Sequence, residues 1–365
     1  MLVKIASTIG SLTFLSRVLG YIRDLLFAKY FGASLVSDAF FVAFKLPNLF
    51  RRLFAEGAMN SAFVPVVSGI QSQKGGFEAT MFMSKVLSIT FLGLLPLVII
   101  VEISMPILIH LIAPGFNNDP QKFNLTILLS RITFPFLIFI SLSSLIGGFL
   151  STLNRFAAMA FTPIILNLTI IFTLLYFNSI NYIGSQLTIV GAYAISLAGV
   201  FQLLWLVFHL YRNNISLKLK YLFNRKIFEI TEPTKRLFKL FLPAVIGNGI
   251  YQLNLLVDMI LASTLPSGSI SYLYFSDRIN QLPLGVLGIS ISTALLPMLS
   301  KQIKENLISK YQKTANECII LCLIVSVPAT FGIFLISDYI IELLFVRGEF
   351  SAVSYTHLRA HETRT

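Results

Sequence analysis

With 365 residues, 56% of them hydrophobic and 12% charged, and a mean hydropathy of +0.80, the chain is too apolar for a soluble domain, whose surface needs about twice that charged fraction. Apolar runs of about 20 residues, the length that crosses a bilayer, recur from end to end and exclude a separable soluble domain. The net charge of +12 is met by the Lys and Arg that gather in cytoplasmic loops of membrane proteins, so no nucleic-acid partner is expected.

In chain order the apolar runs predict helices over residues 5–28, 35–70, 84–112, 124–151, 158–178, 186–210, 237–262, 270–299 and 314–336, with a tenth beginning near 337. The first contains Arg17 and Arg23 and lacks a small-residue cleavage site, so it reads as a retained helix and not as a signal peptide. Placing the N-terminus in the cytoplasm puts Lys74, Lys85, Arg155, the basic connection 211–239 and Lys301 to Lys313 on one side. The opposite loops then hold little beyond Lys29 and Lys122, which is the asymmetry expected of a multi-pass protein. The connection 211–239 alternates Leu, Tyr and Phe with Lys and Arg, a composition that anchors and orients a chain at the surface of membrane lipids. Cys318 and Cys322, one helical turn apart in an apolar run, read as packing residues, and His110 and His209 sit singly at helix ends.

The charges that topology does not absorb lie in "SRVLGYIRD" and "DAFFVAFKLPNLFRRLFAEG". Positions seven apart nearly eclipse on a helix, which puts Asp38, Lys45 and Arg52 on one stripe with Asn48 and Glu56 beside it, while Arg51 points away. In the first helix Arg17 and Asp24 share a face, with Arg23 about a third of a turn off. A charge facing lipid at mid-depth costs at least about 2.5 to 3.5 kcal/mol, so such faces line water or protein. One reading is ion pairing, Asp24 with Arg17 or Arg23 and Glu56 with Arg52. Five basic residues face only three acids, Asp24, Asp38 and Glu56, and Arg278 in "FSDRINQLP" adds a further cation beside Asp277. The guanidinium fork suits phosphate and carboxylate oxygens, so Arg17, Arg23, Arg52 and Arg278 point to a phosphorylated or otherwise acidic substrate.

"AFVPVVS" at 62–68 returns as "ALLPMLS" at 294–300, and Pro65 with Pro297 and Pro96 with Pro328 share one offset of 232 residues. An even number of helices, six, separates the copies, which predicts two halves running the same way through the membrane with a substrate path near its middle. The division is expected at 1–232 for a first six-helix lobe and 233–352 for the start of a second. The tail 353–365 breaks the pattern. Val353 to Thr363 read as a translated sequencing adapter, so the native protein is expected to be longer and the chain to stop in its tenth helix.

At "SRVLGYIRD", "DAFFVAFKLPNLFRRLFAEGAMNSAFVP", "APGF" and "ITFPFLIFISLSSLIGGFLSTLNRF" the sequence closely resembles the MurJ (MviN) lipid II flippases of the MATE-like exporter superfamily, over essentially everything up to Ser351. The resemblance implies an all-α polytopic fold of fourteen helices in two six-helix lobes, in the bacterial cytoplasmic (inner) membrane. It implies lipid II as substrate, held at a cationic cavity by arginines that fall on Arg17, Arg23, Arg52 and Arg278, with Ser16 and Asp38 also at matching positions. It implies a transporter and not an enzyme, without cofactor, coupled to membrane potential or to sodium near Asp258, and working beside cell-wall synthesis and division machinery. An exporter of another lipid-linked oligosaccharide is the alternative in the same superfamily, and a membrane enzyme acting on polyprenyl diphosphates the alternative of another class.

Overall fold

The computed structural model describes residues 2–52, 59–217, 229, 231–283, 299, 302–303, 305, 307–346 and 348–350. Every regular element among them is helical: α1 Leu2–Phe31, α2 Leu35–Phe50, α3 Asn60–Lys74, α4 Gly76–Ile103, α5 Met105–Ile112, a 3₁₀ helix Pro114–Asn118, α6 Pro120–Thr133, α7 Phe136–Thr152, α8 Phe156–Ala160, α9 Thr162–Ser179, α10 Gly184–Arg212, α11 Glu232–Ser263, α12 Ser269–Pro283 and α13 Ile308–Phe345. The expected tail 353–365, Glu56 and Pro297 lie outside the described residues.

Local chemistry sets the boundaries. Ser34 and Ser37 form a reciprocal capping box at the start of α2, each hydroxyl accepting from the other's backbone N–H. Asp119 caps α6 by accepting from the Gln121 and Lys122 amides, with Pro120 in the first turn where its missing N–H is not needed. Asn154, Asn181 and Asn214 take left-handed conformations, φ 60°, 64° and 57°, just past α7, α9 and α10, a conformation that short polar side chains tolerate.

Of the second predicted helix, 35–70, the structure describes α2 to Phe50, a wide π-type turn at Arg51 and Arg52, and α3 from Asn60, with 53–58 outside the described residues. α2 passes through Pro47, which has no N–H for the Ala43 carbonyl four residues back. That carbonyl is taken instead by the Thr133 hydroxyl of α6 at 2.9 Å. The runs at 84–112 and 124–151 are each two helices, broken at Ser104 and at Phe134–Pro135, and α13 is two helices joined across a kink at Ile336, where the ninth predicted helix ends and the tenth begins.

The chain forms two compact units. In the first, which holds residues up to Phe27 and from Ser34 to Ser267, α10 packs on α9 and α7, α2 on α6, and α3 on α4 and α7. Its core gathers Phe63, Phe82, Phe149 and Leu206, and Phe27, Phe40 and Phe41 meet edge to face. α11 belongs to this unit, packing on α3, α5 and the 3₁₀ turn, so the compact units do not divide at the 232/233 point expected from the repeat. A Cβ on Gly115 would lie 2.0 Å from the Ser263 carbonyl oxygen, so only glycine lets that turn meet α11.

The second unit consists of residues 28–33 and the described residues from Gly268 onward. The Glu349 amide donates to the Lys29 carbonyl at 3.0 Å, and the Phe275 ring meets those of Phe345 and Phe350. Gly32, at φ +59°, would place a Cβ 2.5 Å from the Glu349 carbonyl oxygen. Of the expected repeat pairs, Pro96 lies inside α4 and Pro328 inside α13.

Six stretches among the described residues are long and apolar enough to cross a membrane: Gly76–Ile103, Pro120–Thr152, Phe156–Ser179, Gly184–Arg212, Glu232–Ser263 and Ile308–Ser337. α1, α2 and α12, which carry or adjoin the arginines singled out above, are not among them. Large apolar side chains such as Ile99, Ile103, Phe172 and Leu204 are exposed on the six, as lipid contact requires.

Candidate functional site

The candidate residues fall into separate local environments. On α1, Arg17 is exposed and Ser16 half-buried, whereas Arg23 and Asp24 are buried. Arg23 uses its fork on Asp24 Oδ1, from Nη2 at 2.8 Å and Nε at 3.1 Å, and donates from Nη1 to Asn167 Oδ1 on α9 at 2.9 Å. The same Asn167 donates from Nδ2 to the Ser16 carbonyl at 2.9 Å, so one amide of α9 holds both the backbone of α1 and its arginine. Phe27 and Phe44 present their rings to the guanidinium at 5.6 and 5.7 Å. The pairing of Asp24 with Arg23 is one of the two arrangements its sequence allowed.

On α2, Asp38 is fully buried and its carboxylate accepts from Lys122 Nζ of α6 at 2.8 Å. Lys122 also lies over the Phe116 ring at 4.1 Å and 3.4 Å from the Ser267 hydroxyl. Lys45, seven residues on, is half-buried and Arg52 is exposed. The seven-residue stripe assumes a regular helix through Arg52; the π-type turn at Arg51–Arg52 advances less per residue and turns Arg52 from that register. Arg51, expected to point away, donates to Asn48 Oδ1 at 3.1 Å, three residues back on the same surface. Asn48 in turn donates to the Phe44 carbonyl at 2.7 Å, so side chains bond the two successive carbonyls, Ala43 and Phe44, in the turn before Pro47.

In the second unit, Arg278 of α12 is half-buried, with Nη2 donating to the Tyr274 hydroxyl at 2.9 Å and its guanidinium 4.8 Å from that ring. Asp277 beside it is half-buried. Asp258 on α11 is exposed. Among the described residues, no group of three or more His, Cys, Asp and Glu could hold a metal ion.

Three residues that the charge argument did not select organise this region: Asn167, Lys122 and Thr133. Asn167 is a single amide deep in the apolar run "TPIILNLTII", and a polar residue there faces protein. Lys122 was visible as one of the few basic residues on the sparsely charged side. Thr133 carried no signal, because its role exists only through a proline 86 positions earlier in the chain, counting from 47 to 133.

A family model described as lipid II flippase MurJ matches residues 27–360. The chain belongs to the MurJ family. A relative from Rickettsia prowazekii named "Probable lipid II flippase MurJ" is 40% identical over 349 residues, covering 95% of this chain and 66% of its own length. One of the same name from Rhizobium tropici is 38% identical over 358 residues, covering 97% and 66%. The chain therefore spans about two thirds of the length of these MurJ relatives. A solved lipid II flippase MurJ in an inward closed conformation superposes with a TM-score of 0.78 at 31% identity, over 97% of this chain and 72% of the other. An inward-facing multidrug resistance MATE transporter of the MOP superfamily shares the fold, with a TM-score of 0.70 at 15% identity over 98% and 79%. The MurJ family and the six apolar stretches together make this a membrane protein of the MATE-like all-α fold.

Proposed function

We propose that the complete protein moves lipid II from the cytoplasmic to the outer leaflet of the bacterial inner membrane, by alternating access and without making or breaking a bond. The observation that carries this reading is that Arg17 and Arg52 are exposed in a chain 40% identical to a probable lipid II flippase. Arg17, Arg23, Arg52 and Arg278 meet the diphosphate, each offering a planar fork to its oxygens. Ser16, Asp24, Asp38, Lys45, Asn48, Arg51 and Glu56 act around them. Arg23 enters this scheme paired, so the diphosphate takes the place of Asp24 at part of the fork. The N-terminus lies in the cytoplasm, following the distribution of Lys and Arg. Because the cargo is anionic, the membrane potential contributes about 2.3 kcal/mol per charge per 100 mV to its outward passage or to the return of the empty site. Sodium held at Asp258 is the second coupling route, and cell-wall synthesis and division proteins are the expected neighbours.

The test uses the full-length gene. Arg17→Ala and Arg52→Ala, at exposed positions where stability is least affected, are expected to lower lipid II exposure on the outer leaflet at matched membrane levels of protein. Arg23→Ala and Arg278→Ala are expected to do the same. Undiminished exposure in all four variants overturns the assignment.

A further inference from the structure

The buried Arg23 guanidinium is held by groups of two kinds. Its Nε and Nη2 donate to the Asp24 carboxylate of the same helix, at 3.1 and 2.8 Å, and its Nη1 donates to the Asn167 amide of α9, at 2.9 Å. Chemistry fixes which way that amide points. An arginine only donates and a backbone carbonyl only accepts, so Oδ1 turns to Nη1 and Nδ2 to the Ser16 carbonyl, also at 2.9 Å. Asn167 is 5% exposed, and both bonds of its side chain run to α1. Between them the amide lies against the α1 backbone at Gly20, where a Cβ would stand 3.5 Å from Nδ2, an ordinary contact.

Of the side chains of this size and shape, only an amide meets both demands. Leucine offers neither an acceptor for Arg23 nor a donor for Ser16. Aspartate keeps the acceptor, loses the donor, and brings a second negative charge to a guanidinium that already has Asp24. That charge matters for an arginine that changes partners. Held by one carboxylate and one neutral oxygen, it gives up a single anion when a phosphate arrives. Held by two carboxylates, it would have to give up more, and the incoming anion would meet a net negative site. The bond to Ser16 meanwhile keeps α1 in register with α9, so Nη1 stays opposite its acceptor.

We propose that Asn167 is a positioning residue of the cargo site, keeping Nη1 on a neutral acceptor while the Nε–Nη2 edge passes from Asp24 to a phosphate oxygen of the diphosphate. This inference rests on the reading of Arg23 as a cargo arginine given above. The test measures lipid II exposure on the outer leaflet by the complete protein, at matched membrane levels. Asn167→Asp is expected to lower exposure about tenfold or more, the equivalent of one charge-assisted hydrogen bond. Combining it with Asp24→Asn moves the carboxylate to the other edge and restores one charged and one neutral partner. Exposure is then expected to return to within about threefold of wild type, the remaining loss being the neutral bond to Ser16. A role in packing alone predicts otherwise: Asp24→Asn cannot give back the Ser16 bond, so a double variant as low as Asn167→Asp overturns the proposal. Undiminished exposure in Asn167→Asp overturns it too. Where Asn167→Asp does not reach the membrane, the double variant, which has the charge of the wild type, is compared with the wild type directly, and exposure as low as in Arg23→Ala overturns the proposal. Undiminished exposure in Arg23→Ala defeats the cargo reading itself, whereas loss there beside an unimpaired Asn167→Asp defeats only the role of Asn167.

Discussion

Arg23–Asp24 and Asp38–Lys122 are both buried ion pairs with a 2.8 Å contact, but the first joins neighbours on one helix and the second ties α2 to α6 across 84 residues of chain. The local pair is formed within α1, and Arg23 reaches other helices through the Asn167 amide of α9 and the Phe44 ring of α2. The long-range pair is itself the link. A carboxylate next to an arginine in sequence keeps that arginine neutralised until a stronger anion arrives, and exchanging one for the other breaks no helix contact. Asp38 and Lys122 have no such freedom. The same chemistry thus serves the cargo site proposed above in one corner and anchorage in the other.

The largest effect should follow from breaking the anchorage. Lys122→Met removes the ammonium partner of the fully buried Asp38 carboxylate and is expected to destabilise by about 3 to 5 kcal/mol, the usual consequence of removing one partner of a buried pair. Adding Asp38→Leu should recover most of that loss, because a well-packed apolar pair is often as stable as the ions it replaces. Thermal unfolding in detergent reads both. A Lys122→Met protein as stable as wild type would dissolve the distinction between the two corners.

How much of this was readable beforehand follows the same division. The helical membrane fold was legible because apolar runs and cytoplasmic cations are properties of composition. Arg17, Arg23, Arg52 and Arg278 were legible because charge is conspicuous in an apolar background, and the Arg23–Asp24 contact because its partners are adjacent. The Asp38–Lys122 pair was not, since no local period links positions 84 apart; Lys122 looked like a stray loop charge. How the helix that starts at 35 passes Pro47 was not legible for a related reason. Pro47 marked a weak point, but whether a helix passes through a proline depends on what satisfies the abandoned carbonyl, and Thr133 is remote in sequence.

The local corner is sharpened by Arg23→Lys. Lysine keeps the charge beside Asp24, so stability should fall far less than in Lys122→Met. It has no planar fork to reach Asp24 and Asn167 together or to grip a diphosphate. Loss of a charge-assisted bond worth about 1.5 to 3 kcal/mol predicts lipid II exposure lower by about tenfold or more. Full activity in Arg23→Lys would make the pair as purely structural as the one at Lys122.

The smallest effect belongs to the neutral contact that holds α2 to α6 near its proline. Thr133→Val removes the hydroxyl from the Ala43 carbonyl while keeping the shape, and hydrogen bonds between membrane helices average about 0.6 kcal/mol with a ceiling near 1.7. The identity of the acceptor gives the prediction its specificity. In Pro47→Ala the residue at 47 regains an N–H, the Ala43 carbonyl recovers its partner within the helix, and the hydroxyl becomes redundant. Thr133→Val should therefore destabilise the wild type measurably and the Pro47→Ala protein hardly at all, a coupling that a double-mutant cycle of unfolding midpoints resolves. Equal losses in the two backgrounds would mean that Thr133 acts through packing, and the account of how α2 continues through Pro47 would need another cause.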